Sequence, residues 1–137
     1  MFIDASAIVA ILCREEGYKQ VADRLRQAPQ RLTSALALFE AILAVACIHS
    51  VSPETAEGIV NGFREKVDIA LVSLGIAEIR IAVAAHARYG KGRHPARLNL
   101  GDCFAYACAQ MHGVPLLYVG NDFPKIDIRP ALPRPVG

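Results

Sequence analysis

Phe2-Ile3-Asp4-Ala5-Ser6-Ala7-Ile8-Val9-Ala10-Ile11-Leu12 decides the fold. Phe2 and Ile3 are bulky and apolar, Asp4 is a residue that caps helices, and the stretch beyond it is helical until Gly17. A strand that ends on an aspartate and passes at once into a helix is the opening of an α/β unit. The rest of the chain repeats the alternation. Tyr18, Val21, Ala22 and Leu25 recur at helical spacing among Lys19, Asp23, Arg24 and Arg26, an amphipathic surface helix that Pro29 ends. Arg31-Leu32-Thr33 reads as a second short strand, with Ser34 as the cap of the next helix.

That next helix, from Ala35 to about Ile48, is apolar on every side except at Glu40, the pattern of a buried helix. Ser52-Pro53 starts another, whose inward stripe is Ala56, Ile59, Val60, Phe63 and Val67. Ile69-Ala70-Leu71-Val72 is continuously apolar, as in a strand covered on both faces. A helix from Ile76 to Tyr89 stops at Gly90, and a basic loop follows to Leu98. The last helix runs from about Gly101 to His112, ahead of Gly113 and Pro115. Leu116-Leu117-Tyr118-Val119 is a buried strand, Gly120-Asn121-Asp122 a turn, and Ile126-Asp127-Ile128 a last short strand. Arg129 to Gly137, with three prolines, reads as a loose tail. Alternating strands and helices imply an α/β fold with a short, mostly parallel sheet between helical layers: one domain over residues 1–128 and a tail over 129–137.

Composition narrows the class. A chain of 137 residues makes one domain with a sizeable core. At 53% hydrophobic and 20% charged it is apolar enough to bury surface against another chain. A net charge of +2 announces no polyanion-binding surface, so any such surface has to be local. Cys13, Cys47, Cys103 and Cys108 lack both CxxC pairing and metal-ligand spacing and read as buried thiols of a reducing cytosol. The first residues lack a basic lead into an apolar run, so they do not read as a signal peptide. The longest apolar run holds Glu40 and falls short of the roughly 18–20 residues that cross a bilayer. The expectation is a soluble cytoplasmic protein.

Four carboxylates carry the chemistry. Glu40 has Leu36, Ala37, Leu43 and Ala44 as its helical neighbours, and a buried ionised carboxylate without partners costs several kcal/mol. Either an arginine from another helix pairs with it, or it belongs to a metal or catalytic site. Asp4, Asp102 and Asp122 are each explained singly, as a helix cap, a first-turn acid and a turn residue. Their shared address says more. Asp4 and Asp122 lie past the C-terminal ends of strands, where open α/β sheets hold their ligands, and Asp102 starts a helix that can face the same edge. Clustered acids repel one another until a cation neutralises them, and an all-oxygen set selects a hard ion, Mg²⁺ or Mn²⁺. Such a site suits metal-assisted attack of water on a phosphodiester. Ser6 either donates a hydroxyl to it or caps its own helix. Lys91, Arg93, His94 and Arg97 form either an RNA-contacting loop or a solvated one.

These residues resemble a known family. The opening stretch, then Glu40 in its apolar helix, look like a PIN domain of the VapC toxin type. So, more specifically, do Arg93-His94-Pro95-Ala96-Arg97-Leu98-Asn99-Leu100-Gly101-Asp102-Cys103-Phe104-Ala105-Tyr106-Ala107 and Leu116-Leu117-Tyr118-Val119-Gly120-Asn121-Asp122-Phe123. The resemblance spans residues 2 to about 128 and departs at Gly120, where many PIN domains carry threonine. It implies a PIN-like three-layer α/β/α fold and an endoribonuclease dependent on Mg²⁺, with Mn²⁺ able to substitute. It also implies a toxin–antitoxin pair, with a VapB-like antitoxin that blocks the site, and a homodimer. The family's acids fall on Asp4, Glu40, Asp102 and Asp122, with Ser6 and Asn121 in support. Two rival readings are a catalytically idle PIN-like binding module and a haloacid-dehalogenase-like phosphatase. The phosphatase wants a second aspartate where this chain has Ser6.

Overall fold

The computed structural model describes residues 1–132 and places a four-stranded, wholly parallel sheet between layers of helices. The elements are β1 (Phe2–Ile3), α1 (Ala5–Leu12), α2 (Tyr18–Gln27), β2 (Leu32–Ser34), α3 (Ala35–His49), α4 (Pro53–Lys66), β3 (Ala70–Val72), α5 (Ile76–Tyr89), α6 (Leu100–His112) and β4 (Leu116–Leu117). A single 3₁₀ turn, Phe123–Lys125, follows β4. The strand order is β3-β2-β1-β4, with Phe2 opposite both Leu32 and Leu116. β1 is therefore interior, and Phe2 and Ile3 are fully buried.

Local chemistry sets the helix starts. Asp4, Ser34 and Ser52 each accept a backbone N–H from their own first turn, and Pro53 stands where no intrahelical N–H is needed. Because all four strands run the same way, the starts of α1 and α3 and the segment beyond β4 emerge along one edge of the sheet. α1 packs on α2 and α3, α3 on α4, and α5 on α6.

Four expectations need correction. α3 is not buried on all sides: Phe39 is 56% and Leu43 48% exposed, and Cys47 is exposed as well. Apolar character all round a helix signals burial only when the structure supplies a neighbour on every side, and α3 has α1, α4 and α6 but solvent on the remaining stripe. β3 is not covered on both faces either. It is an edge strand paired only to β2, and Leu71 is 52% exposed. Ile126 to Ile128 form no strand. The residues from Arg129 are not loose at their start: Leu116 donates to the Arg129 carbonyl at 2.9 Å, Ala131 donates to the Leu116 carbonyl at 2.8 Å, and Arg24 Nε holds the Ala131 carbonyl at 2.8 Å. A parallel bridge between Leu116 and Pro130 thus occupies the open edge of β4, as proline permits where its missing N–H is not called on. Most of the rest of the proposed tail lies outside the described residues. No helix among those described is long and apolar enough to cross a membrane.

Candidate active site

Asp4 sits where β1 becomes α1, and its carboxylate accepts both the backbone N–H of Ser6, at 3.0 Å, and the Ser6 hydroxyl. Ser6 Oγ in turn accepts the backbone N–H of Val119 at 3.0 Å, which ties the first helix to the segment after β4. The two sequence readings of Ser6 were alternatives; here its hydroxyl serves Asp4 directly. Thr33, buried in β2, donates to the Ile3 carbonyl at 2.8 Å and braces the strand end that carries Asp4. Burial pushes the Asp4 carboxyl above its ordinary range, the hydrogen bonds from Ser6 and Ala5 oppose this, and Asp122 adds to the rise.

Glu40 lies in the second turn of α3, half-buried. Burial first, and the charge of Asp4 second, raise its pKa to about 7. Among the described residues no cationic side chain pairs with any of the four carboxylates; the ion pairs are Asp23–Arg26, Arg64–Glu65 and Arg88–Asp127. The arginine partner that would make Glu40 merely structural is thus absent among the described residues. Its carboxylate instead rests against Gly101, in the first turn of α6. A β-carbon on Gly101 would stand 2.1 Å from Glu40 Oε1 and 2.3 Å from Oε2, so only glycine admits this approach.

Asp102 closes a capping box with Asn99. Its Oδ2 accepts the Asn99 N–H at 3.1 Å while Asn99 Oδ1 accepts its own N–H at 2.9 Å. Its pKa is raised to about 7: burial contributes most, the Asn99 bond works the other way, and the charges of Asp4 and Asp122, with a side-chain hydrogen bond to Asp122, add to the rise. Asp122 and Asn121 stand exposed in the turn after β4. All four acids thus lie within electrostatic reach of one another through Asp4.

The basic loop is ordered from within. Lys91 donates to the Leu98 carbonyl at 3.1 Å. His94 Nδ1 accepts the Ala96 N–H at 3.0 Å, and its ring meets Tyr89 edge-on at 5.1 Å. His94 is therefore committed to holding the loop, while Lys91, Arg93 and Arg97 are exposed. Asp127, read from the sequence only as part of a short strand, accepts the Tyr106 hydroxyl at 2.9 Å. Sequence reasoning missed Gly101, although a glycine inside a helix start, next to a candidate acid, is a signal in itself.

The donor set fits a hard cation: oxygen only, one member wholly buried, and a cradle that a single methyl would fill. As the side chains stand, no three ligating groups among the described residues enclose an ion. That accords with repulsion between like charges and with the hydrogen bonds that occupy Asp4 and Asp102.

The family model described as PIN domain matches residues 1–129. A VapC ribonuclease of Rhizobium meliloti is 40% identical over 93% of this chain and 98% of its own length. Ribonuclease VapC42 of Mycobacterium tuberculosis is 39% identical over 96% of this chain and 98% of its own. A ribonuclease VapC of Mycolicibacterium smegmatis is 36% identical over 93% and 97%.

Proposed function

The chain belongs to the PIN domain family, and on that premise we propose that it is an endoribonuclease, the toxin of a toxin–antitoxin pair, cutting RNA at the site built on Asp4, Glu40, Asp102 and Asp122. The observation that carries this is four carboxylates at the C-terminal edge of a parallel sheet, raising one another's pKa through Asp4 and Asp122, with no cationic partner among the described residues. A protein keeps such a cluster only if something outside the chain relieves it. Mg²⁺, or Mn²⁺ in its place, is the ion the donors suit, and when bound it supplies Lewis acidity toward phosphate and a water that ionises near neutral pH.

This chain's own residues do the placing. Asp4, fixed by Ser6, and Glu40, fixed by its seat on Gly101, hold the charge that draws the ion in, with Asp102. Asp122 stands on the open side, where it assists the same position or one that arrives with the substrate. The exposed cations Lys91, Arg93 and Arg97 lead into α6, and they can hold the RNA backbone beside Asp102.

Two apolar surfaces support the protein partners. Ile76, Val83 and Leu100 are exposed along α5 and the start of α6, which suits a second copy of the chain. Phe39 and Leu43 line a groove of about 360 Å³ between α3 and α4, one residue and three residues from Glu40. A VapB-like antitoxin seated there can place a basic side chain among the acids. A cytoplasmic location goes with both partners.

The test is cleavage of single-stranded RNA with Mn²⁺, with and without EDTA. Cleavage that stops in EDTA is the expected result. Cleavage undiminished by EDTA refutes the metal role, and no cleavage in Mn²⁺ leaves an idle binding module. Release of phosphate from small phosphomonoesters instead would point to a phosphatase, against which Ser6 already speaks.

A further inference from the structure

A cavity of about 660 Å³ lies beside the acids rather than among them, between α2 and the segment that follows β4. Its wall includes Glu16, Gln20 and Gln27 on one side and Tyr118, Val119 and Asn121 on the other. Val119 also lines the small cavity of about 300 Å³ that holds Ser6 and Glu40, so the two spaces adjoin. Asn121, on the wall of the larger space, is next in sequence to Asp122, so a group held there lies beside the acids.

The cavity is wrong for the RNA backbone and right for a base. Glu16 and Asp23 lie on its wall and repel phosphate. Its one cation among the described residues, Arg24, has Nε committed to the Ala131 carbonyl. The wall also carries the ring of Tyr118, which is held against Phe123 at 5.1 Å, and a rim of acceptors and carboxamides. Among the described residues the side chains of Glu16, Gln20, Gln27 and Asn121 make no hydrogen bond to protein. Unpaired bases are recognised by such walls, stacked on an aromatic face and read along their edges. The volume falls in the range of small-molecule pockets, about 300–1,000 Å³.

We propose that this cavity is a nucleobase subsite taking an unpaired guanine next to the phosphodiester that is cut; the proposal rests on the ribonuclease reading above. Guanine follows from the acceptors. A carboxylate accepts hydrogen bonds and donates none, and it binds best to two parallel donors. Among the four bases only guanine offers adjacent ring N–H and amino donors on its pairing edge. Uracil has one ring N–H between two carbonyls, while adenine and cytosine have an amino group beside an acceptor nitrogen. Glu16 is the reader, and Gln20 and Asn121 serve guanine's remaining acceptors.

Two measurements test this. In EDTA, where no cleavage occurs, guanosine monophosphate is titrated into isotope-labelled protein, with uridine monophosphate and inorganic phosphate as controls. The backbone amides of Gln20 and Asn121 should shift with the guanine nucleotide and hardly with the other two. With Mn²⁺, oligonucleotides carrying a single guanosine should be cut beside it, and Glu16→Gln should lower that preference at least ten-fold through KM. Cleavage without guanosine preference, together with unmoved amides, overturns the subsite and leaves the nuclease standing. Amides that shift with a basic peptide but not with the nucleotide give the cavity to a protein partner and also overturn it. Absence of RNA cleavage in Mn²⁺ overturns the nuclease reading itself, a result the EDTA titration cannot mimic.

Discussion

Replacing Gly101 by alanine puts a methyl carbon where the Glu40 carboxylate now lies. The new carbon would stand 2.1 Å from Oε1, 2.3 Å from Oε2 and 2.4 Å from the carboxyl carbon. A comfortable carbon–oxygen contact needs about 3.4 Å, so the carboxylate must retreat by roughly 1 Å or more. What moves is the end of a flexible, half-exposed side chain and not backbone, so the fold loses little. Alanine inside a helix is favoured over glycine by about 0.5–1 kcal/mol, which offsets part of the rotamer cost. The melting temperature in EDTA should therefore stay within a few degrees of the parent's. Catalysis should not be spared, because a misplacement of about 1 Å at a reacting centre costs on the order of 10²-fold.

The assay pairs a thermal melt in EDTA with Mn²⁺-dependent RNA cleavage. Adding Glu40→Asp to Gly101→Ala supplies a control. The shorter side chain withdraws its carboxylate by one carbon–carbon bond, about 1.5 Å, and should recover part of the activity that Gly101→Ala removes. Cleavage by Gly101→Ala within two-fold of the parent would refute the reasoning, since the seat of Glu40 on α6 would then be without consequence. An early melt would refute it differently, by showing that the contact is rigid packing.

Three further outcomes follow from the same geometry. Glu40 and Asp102 have folded pKa values of about 7, above their unfolded values of 4.5 and 3.8, so both bind protons more tightly when folded. Their contribution to metal-free stability is then fully present below about pH 4 and is lost as pH rises from there through about 7. For Glu40 the loss is about 1–2 kcal/mol after allowance for water at a half-buried site, and urea melts at pH 5.5 and 8.5 should find it in the parent and find it reduced in Glu40→Gln. Arg93→Ala and Arg97→Ala should each raise KM for RNA several-fold and flatten its salt dependence by about one unit of slope, with kcat little changed; an unaltered salt slope would remove the loop from the RNA interface. Tyr106→Phe should cost about 1 kcal/mol of stability by freeing Asp127, and leave Mn²⁺-dependent cleavage at the parent's rate.

Sequence reasoning reached the strand-to-helix junction at Asp4, the caps Ser34 and Ser52, and the helix ends at Gly90 and Gly113, because each is a short-range matter of one backbone group and one side chain. It failed where the answer depends on what lies opposite. Nothing within Ala35–His49 tells that solvent faces Phe39 and Leu43, nor within Ala70–Val72 that β3 is an edge. The pinning of Arg129 and Ala131 to Leu116 joins positions far apart in the chain and leaves no local trace.

The candidate site sits between these cases. Asp4, Asp102 and Asp122 are each explained by their own turn, and the structure shows why local explanations tempt: Asp4 does cap α1 and Asp102 does close a capping box. Glu40 is different, since no helix-local role accounts for a carboxylate among Leu36, Ala37, Leu43 and Ala44. A residue that its own element cannot explain points to another element, and here that element is α6, reached through the missing side chain of Gly101. The two signals are one feature seen from both sides. A charge stands where the sequence should be apolar, and a glycine stands where a helix should have a side chain. Each marks the same point of contact, where the end of a half-buried acid meets the start of the helix that carries Asp102.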